Sequence, residues 1–362
     1  MEFPTHINDI TELFGLINPK LYSKTRNFKD GAVTKLSPYI SRGVISTRQV
    51  YEHILSLGRP WSEIEKLVQE LAWRDYWQQL WIAKRDAIYS DLKHPQNPIL
   101  NHEIPEAIVN ACTGIHAIDA AINEFYTTGY MHNHMRMYVA SVCCNMAKSH
   151  WFMPSKWMYA NLLDGDIASN ILSWQWVAGT NSNKKYYANQ ENVNKYFYSN
   201  QKNTFLDVDY NDFDTMKVPK ELVKTCEFSL QTDLSEFNTH FELVGKRTLI
   251  YNYYNLDPHW RKEESVQRVL LLEPSLFQKF PVTKKCLNFI LELSKNIKNI
   301  TFFVGEFDDL IKLVPKNNIT YKEHPLNSHY KGTEDSRDWL TETPWNHGSF
   351  FSFWKKCKKQ LL

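Results

Sequence analysis

Two different apolar patterns divide the chain. Up to about residue 200, apolar residues recur at helical spacing, as in Ile64, Leu67, Val68 and Leu71. Beyond about residue 245, short continuous apolar runs alternate with helical segments, which predicts parallel strands joined by helices. The pattern therefore predicts a mainly α protein, with an all-helical domain followed by a smaller C-terminal α/β domain that contains a parallel sheet.

The same change of pattern gives the domain boundaries. We expect a helical domain over 1–205 and an α/β domain over 246–362. Between them, residues 206–245 are a candidate linker or extension, because Asp and Phe alternate there without a clear period.

Capping signals predict where the helices begin and end. Ser46 with Gln49 forms a capping box, and Gly58 would end that helix. Ser62 with Glu65 predicts a second box, for a helix that continues to about residue 84. Further expected helices are one capped by Thr113 and ended by Gly129, one that carries Asn133 and Met137, one that Pro154 starts at Trp157, and one over 167–177; no strand is expected before about residue 200.

The α/β part has three predicted strands, at 269–272, 300–304 and 319–321, with helices at 283–298 and 307–314. Glu273, Gly305 and His324 follow these strands, at the edge where open α/β sheets usually bind ligands. No phosphate-binding glycine motif accompanies them, so the sequence predicts a position and no chemistry.

Composition narrows the function classes. Forty-two basic and 40 acidic residues leave a net charge of +2, so any nucleic-acid surface must be local. Six scattered cysteines without a C-x-x-C pair favour neither a metal site nor a disulfide framework. The N-terminus has no signal-peptide pattern and no stretch is apolar enough to span a membrane, which favours a cytoplasmic protein.

Candidate chemistry concentrates between residues 129 and 176, where Asn, Arg and Asp residues interrupt an aromatic and apolar run. Such a run indicates a buried site for a large, flat, partly polar ligand, because unpaired buried polar groups are costly. The alternative to a ligand site is a pair of packed helices whose buried polar groups are hydrogen-bonded within the core. On the helix before it, Glu70, Trp73, Arg74 and Trp77 share one face, which is either a ligand surface or an interior ion pair.

Four motifs resemble the photolyase and cryptochrome family over roughly residues 14–200. They are the segments 36–39 (LSPY), 70–76 (ELAWRDY), 129–137 (GYMHNHMRM) and 164–180 (DGDIASNILSWQWVAGT). Their order and separations also match the family's FAD-binding helical domain. The chain looks like a short form, similar to class I cyclobutane-dimer photolyases, without the N-terminal antenna domain.

The resemblance implies FAD as the cofactor, bent into a U in an all-helical bowl. Asn170 matches the residue that faces N5 of the flavin, and Arg136 with Asp164 would form a half-buried, charge-assisted pair. The positions that match cofactor contacts are Tyr22, Thr34, Lys35, Leu36, Ser37, Arg74, Asn133, Arg136, Asp164, Asp166 and Asn170.

The resemblance also implies a partner, DNA that contains pyrimidine dimers. Asn133 and Met137 occupy the places of the paired histidines in (6-4) photolyases, which favours the cyclobutane dimer. The implied function is its repair by blue light and reduced FAD. The residues assigned to catalysis are Glu70, Trp73, Asn133, Met137, Asn170 and Trp176, and those assigned to DNA phosphates are Arg26, Lys184 and Lys185.

Trp174 and Trp151 match two members of the tryptophan chain that photoreduces the flavin. The third has no obvious counterpart, and Trp157 or a tyrosine is a candidate for its place. A cryptochrome-like light sensor without repair activity and a flavin-free DNA-binding remnant are the alternatives. An antenna chromophore in the α/β domain is left open, and the segment 350–359 is either a DNA contact or a final amphipathic helix.

Overall fold

A computed structural model describes residues 3–237, 246–344 and 348–362. Contacts divide the chain into two compact units. The helical unit comprises Lys20–Val33 and Ala83–Ser229, and the mixed unit comprises Glu2–Pro19, Thr34–Ile82 and Leu230–Leu362. The sequence-based domain boundaries stay a prediction, and 238–245 of the proposed linker lie outside the described residues.

Helices dominate the described chain, and seven short strands complete it. The helices are α1 Ile7–Glu12, α2 Pro19–Thr25, α3 Ser37–Ser41, α4 Thr47–Ser56, α5 Trp61–Lys84, α6 Glu106–Val109, α7 His116–Thr128, α8 Asn133–Ser141, α9 Phe152–Asn161, α10 Ile167–Ala178, α11 Gln190–Phe197, α12 Pro274–Lys279, α13 Lys284–Ser294, α14 Phe307–Leu313 and α15 Phe350–Leu361. The strands are β1 Ile104–Pro105, β2 Thr225–Cys226, β3 Thr248–Tyr251, β4 Gln267–Leu272, β5 Ile300–Val304, β6 Ile319–Lys322 and β7 Thr333–Asp335.

Capping residues set several helix ends as the sequence predicts. Ser46 and Gln49 form the reciprocal capping box of α4, and Gly58 follows that helix with a φ of 62°. Gly129 ends α7 and has a φ of 71°, in the left-handed region that a glycine adopts without strain. Helix α10 begins at Ile167, as expected, and Asp166 caps it.

Three expected helix starts are wrong. Ser62 lies inside α5, which begins one residue earlier, at Trp61. Thr113 does not cap α7, whose N-cap is Ile115; its hydroxyl donates to Asp119 at 2.7 Å instead. The helix expected from Trp157 begins at Phe152, so that Pro154 falls within its first turn, where a missing N–H costs nothing.

The helical unit is built around α8 and α10. Helix α10 carries no charged residue and nine of its 12 residues are buried, so it forms the centre of the core. A π-helical turn, Val142–Met146, continues α8, and all five of its residues are buried. Strands β1 and β2 pair antiparallel in this unit, and β1 contradicts the expectation that no strand precedes residue 200.

The mixed unit contains a five-stranded sheet in the order β5-β4-β3-β6-β7, and every neighbouring pair is parallel. This confirms the α/β class and the parallel sheet predicted from the sequence. Two strands were not predicted: β3 has only four residues, and β7 (Thr333-Glu334-Asp335) is a polar edge strand without an apolar signal. The order places the switch point of the sheet between β3 and β6.

Candidate functional site

In the helical unit, an ion pair joins the start of α8 to the turn before α10. An Arg136 Nη atom lies 2.9 Å from Asp164 Oδ2, and their side chains are 20% and 4% exposed. Arg136 Nε also donates to the backbone oxygen of Met131 at 2.8 Å. The pair expected from the sequence is therefore present, and a second hydrogen bond fixes the guanidinium, which lowers the cost of burying the two charges.

The first turns of α10 add polar groups to the same region. Asp166 caps the helix by accepting from the Ser169 N–H at 2.7 Å, and Asn170 donates its amide to the Ser155 carbonyl at 2.8 Å. The Ser169 hydroxyl is buried and has no hydrogen-bond partner within the described ranges. A buried hydroxyl of this kind is expected where a ligand supplies the missing partner, so the residues present fit a cofactor with polar edges.

Two histidines at the start of α8 were not singled out in the sequence. His132 is the N-cap, and its ring accepts from the His134 N–H at 3.2 Å. Burial, with smaller effects of His134 and Arg136, lowers the pKa of His132 to about 4. Its imidazole is therefore neutral at pH 7, so it adds no second positive charge beside Arg136. Nothing in the residue types alone gives this depth of burial.

The tryptophans of the helical unit fall into two groups. Trp151, Trp157 and Trp174 are at most 2% exposed, whereas Trp176 is 37% exposed. The Trp151 indole donates to Asp91 at 2.7 Å and the Trp157 indole to the Tyr126 hydroxyl at 2.9 Å. Three are thus core residues, and Trp176 presents part of its ring to solvent from a helix that is mostly buried.

The residues proposed for DNA phosphates lie in two separate segments of this unit. Lys184 is exposed in the loop after α10, which Ser182 ties to the Trp176 carbonyl through a 2.8 Å hydrogen bond. Burial lowers the pKa of the adjacent Lys185. Arg26 donates to the Ser23 carbonyl at 2.9 Å, just after α2, which carries a partly buried Tyr22.

Helix α8 brings together three proposed contacts. Asn133, Arg136 and Met137 are spaced three and four residues apart, so they share one face. Asn133 is exposed and Met137 is half-buried. This face therefore offers an amide and a thioether to solvent beside the ion pair.

The segment assigned to the flavin phosphates belongs to the mixed unit. Lys35 has a φ of 56°, and the Thr34 hydroxyl accepts from the Leu36 N–H at 3.4 Å. Leu36 is fully buried and precedes Ser37, the first residue of α3. These residues form a tight turn, and their assignment to FAD stays a prediction.

Helix α5 carries the remaining candidates, which are Glu70, Trp73 and Arg74. Glu70 pairs with Lys66 at 3.0 Å on a face where both side chains are about one-third exposed. This is a partly exposed pair within one helix, so it contributes little stability.

Trp73 has a partner that the sequence did not reveal. The centroid of its ring lies 3.5 Å from that of the Phe350 ring of α15, with 8° between the two planes. The Trp77 ring centroid is 4.9 Å away. The apolar spacing of α15 predicts a buried face, but spacing alone does not identify what the face covers.

The carboxyl ends of the central strands are covered by the chain's own side chains. Arg42 is fully buried, donates to the Tyr253 carbonyl just after β3 at 3.2 Å, and lies 3.9 Å above that ring. His324, after β6, stacks on Tyr254 at 4.7 Å, and its pKa is far below the usual range, chiefly because it is buried. Beside β3 and β6, the edge of the sheet that was predicted to bind a ligand is therefore filled by the chain's own side chains.

Comparison with known proteins finds relatives for one part of the chain. Residues 67–205 match the family model of the FAD binding domain of DNA photolyase. A deoxyribodipyrimidine photo-lyase of Alkalihalophilus pseudofirmus is 30% identical over 176 residues, which are 46% of this chain and 36% of the relative. A chloroplastic/mitochondrial cryptochrome DASH of Solanum lycopersicum is 31% identical over 175 residues, which are 46% of this chain and 30% of the relative.

Among solved structures, a Synechocystis cryptochrome aligns with a TM-score of 0.49 and 25% identity over 54% of this chain and 44% of its own. The matched region of our chain belongs to the photolyase and cryptochrome family. More specifically, it is an FAD-binding domain, as the sequence resemblance implied. The chain spans about a third of the length of the curated relatives it matches.

Within the described ranges, no helix is both long enough and apolar enough to cross a membrane.

Proposed function

We propose that this protein repairs cyclobutane pyrimidine dimers in DNA, using blue light and reduced FAD. One observation carries the proposal: α10 holds Asp166 and Asn170 in a buried polar region at its start and exposes Trp176 near its end. A single rigid helix thus offers a polar set for a cofactor and an aromatic face for a base.

The polar set would bind and orient the flavin. The Arg136–Asp164 pair offers fixed charges of both signs, and Asp166 is held by its capping bond. Because one N–H of the Asn170 amide donates to the Ser155 carbonyl, the amide is held in place, and its oxygen and second N–H can face a ligand. When bound and reduced, FAD supplies the light-driven electron that splits the dimer; the protein supplies burial and orientation.

The side chains proposed to contact the pyrimidine dimer reach the solvent. In the helical unit, Trp176 would stack on a base of the dimer, while Asn133 and Met137 line the neighbouring face of α8. Glu70 and Trp73 of the mixed unit receive the same assignment from the family resemblance alone. Because photolyases act on a dimer that is flipped out of the duplex, these side chains would contact the extruded dimer.

The first test is repair itself. Protein with reduced flavin is illuminated with an oligonucleotide that bears one thymine dimer, and restored thymines are measured, with a dark sample as the control. Trp176→Ala should weaken binding of the dimer by about 1–3 kcal/mol, since stacking on one base is lost. Trp176→Phe keeps an aromatic face and should retain most of the affinity.

A cryptochrome-like light sensor is the second candidate, and the match to a cryptochrome DASH keeps it open. Fully reduced flavin with an unrepaired dimer after illumination would exclude repair and leave the sensor. A purified protein that is colourless and takes up no FAD would contradict both functions.

A further inference from the structure

The last helix, α15, has one buried and one exposed face. Its buried side chains are Phe350, Phe353, Trp354 and Cys357, at the spacing of a single helix face. The side chains on the opposite side are exposed, and they are Phe351, Ser352, Lys355, Lys356 and Lys359. The exposed face therefore combines three lysines with an aromatic ring that is itself 69% exposed.

Three contacts anchor this helix along its length. Trp354 stacks on Trp61 at 6.5 Å, Lys358 pairs with Glu65 at 2.6 Å, and the Tyr51 hydroxyl donates to the Leu361 carbonyl at 2.8 Å. Since α15 is held at its middle and its end, the exposed lysines project from a fixed surface.

The first residue of α15 touches a candidate lesion contact. Phe350 is 3% exposed and lies parallel to Trp73 at 3.5 Å. The exposed face of α15 thus begins one residue away from the helix's contact with Trp73, within the same unit.

Ordinary helix electrostatics account for only part of this charge. Lysines in the last turn stabilise a helix by opposing its dipole, which explains Lys358 and Lys359. That effect does not require Lys355 and Lys356 in the middle, nor the exposed ring of Phe351. Neither Asp nor Glu occurs in α15, so no acidic neighbour on this helix offsets the three exposed lysines.

We propose that the exposed face of α15, formed by Phe351, Lys355, Lys356 and Lys359, binds the phosphate backbone of DNA beside Trp73. Ammonium groups neutralise phosphates, and an exposed ring next to them stacks on an unpaired base. The placement relative to a lesion rests on the proposed repair function, whereas the affinity for undamaged DNA does not.

The test removes three charges without disturbing the helix. Gln and Lys have similar helix propensity, so a Lys355→Gln, Lys356→Gln, Lys359→Gln triple variant should fold normally. Binding to an undamaged duplex is measured by fluorescence anisotropy at several salt concentrations. Because each phosphate contact contributes about 0.9 to the slope of log affinity against log salt, the slope should fall by about 2–3.

A matched variant controls for net charge. Lys298, Lys316 and Lys331 are exposed on the α/β part, so their change to Gln removes the same charge from another surface. This control should keep the wild-type slope, and Phe351→Ala should weaken single-strand binding several-fold at an unchanged slope. Equal slopes for the α15 variant and the wild type would overturn the proposal.

The DNA-binding surface on α15 and the repair of dimers can be contradicted independently of each other. A wild-type protein that binds DNA through α15 but leaves the dimer intact supports this surface and contradicts repair. A protein that repairs the dimer with full efficiency after the α15 lysines are removed contradicts the surface alone. Absorbance of bound flavin, measured in every variant, shows that the fold is retained.

Discussion

At the scale of single residues, Arg136, Asp164 and His132 of the helical unit are buried or half-buried polar groups that avoid the cost of burial in different ways. Arg136 and Asp164 tolerate burial because each satisfies the other. His132 tolerates it by staying neutral, since burial lowers the pKa of its ring to about 4. The region therefore holds a formally balanced pair beside an uncharged imidazole.

The neutral state of His132 predicts a pH dependence of stability. An unfolded histidine has a pKa of about 6.5, so as the pH falls from about 6.5 toward 4 the unfolded chain takes up a proton before the native state does. The contribution of His132 to the free energy of unfolding should therefore decline across this window. Urea unfolding of the wild type and His132→Gln from pH 4 to 7.5 measures the difference.

His116 is exposed, and His116→Gln controls for the loss of any histidine. If the wild-type and His132→Gln unfolding free energies change in parallel with pH, burial of His132 does not have this effect.

Some residue positions could be predicted from the sequence and others could not. Gly129 and the Asp166 cap follow local rules of helix ends, and the structure has both. The burial of His132 and the stacking of Phe350 on Trp73 depend on segments distant in the chain, about which local spacing carries no information.

At the scale of elements, α5 and α15 form one packed aromatic layer. Trp73, Tyr76 and Trp61 of α5 contact Phe350, Phe353 and Trp354 of α15, respectively. The element types were predictable because both helices have strong apolar periodicity. Their pairing was not, since Trp73 and Phe350 are 277 positions apart in the sequence.

This layer gives a stability prediction with a neighbouring control. Phe350→Ala should lower the free energy of unfolding by about 3 kcal/mol, because a buried ring is replaced by a cavity. Phe351→Ala, at the next residue, should change it by less than about 0.5 kcal/mol, because that ring is 69% exposed. Thermal and urea unfolding of both variants measure these effects; equal losses would show that Phe350 contributes no more than a surface ring.

In the sheet, too, the local apolar pattern predicts only some of the strands. Strands β4, β5 and β6 carry apolar runs and were predicted, whereas β7 is polar and β3 is too short for a distinct signal. Both missed strands are recognised only through their neighbours, since β3 pairs with β4 and β6 and β7 pairs with β6.

At the scale of the whole molecule, contacts do not follow the order of the sequence. Helices α3 and α4, with α5 up to Ile82, belong to the same unit as the sheet. Asp75 on α5 is buried and accepts from the Thr47 hydroxyl at 3.0 Å and from the Leu340 N–H at 2.7 Å. Burial raises the pKa of Asp75, so its hydrogen bonds to the C-terminal segment offset an unfavourable environment.

A chain that ends at Ser229 should therefore lose more than the α/β part. The segment Thr34–Ile82 would lack the partners of Trp73 and Asp75, so we expect its amides to exchange rapidly with solvent, although it precedes the deletion by about 150 residues. Hydrogen exchange of the shortened chain beside the full chain measures this. Protection of 34–82 at full-length levels would instead support an independent domain over 1–205.

The hydrogen bond from Tyr51 to Leu361 joins residues 310 positions apart and has a consequence for biosynthesis. At about 5–20 residues per second, a ribosome reaches Leu361 roughly 15–60 s after it has added Tyr51. During that interval the apolar surfaces of α4 and α5 lack their final cover. We therefore expect the nascent chain to expose these surfaces to chaperones until α15 has left the ribosome.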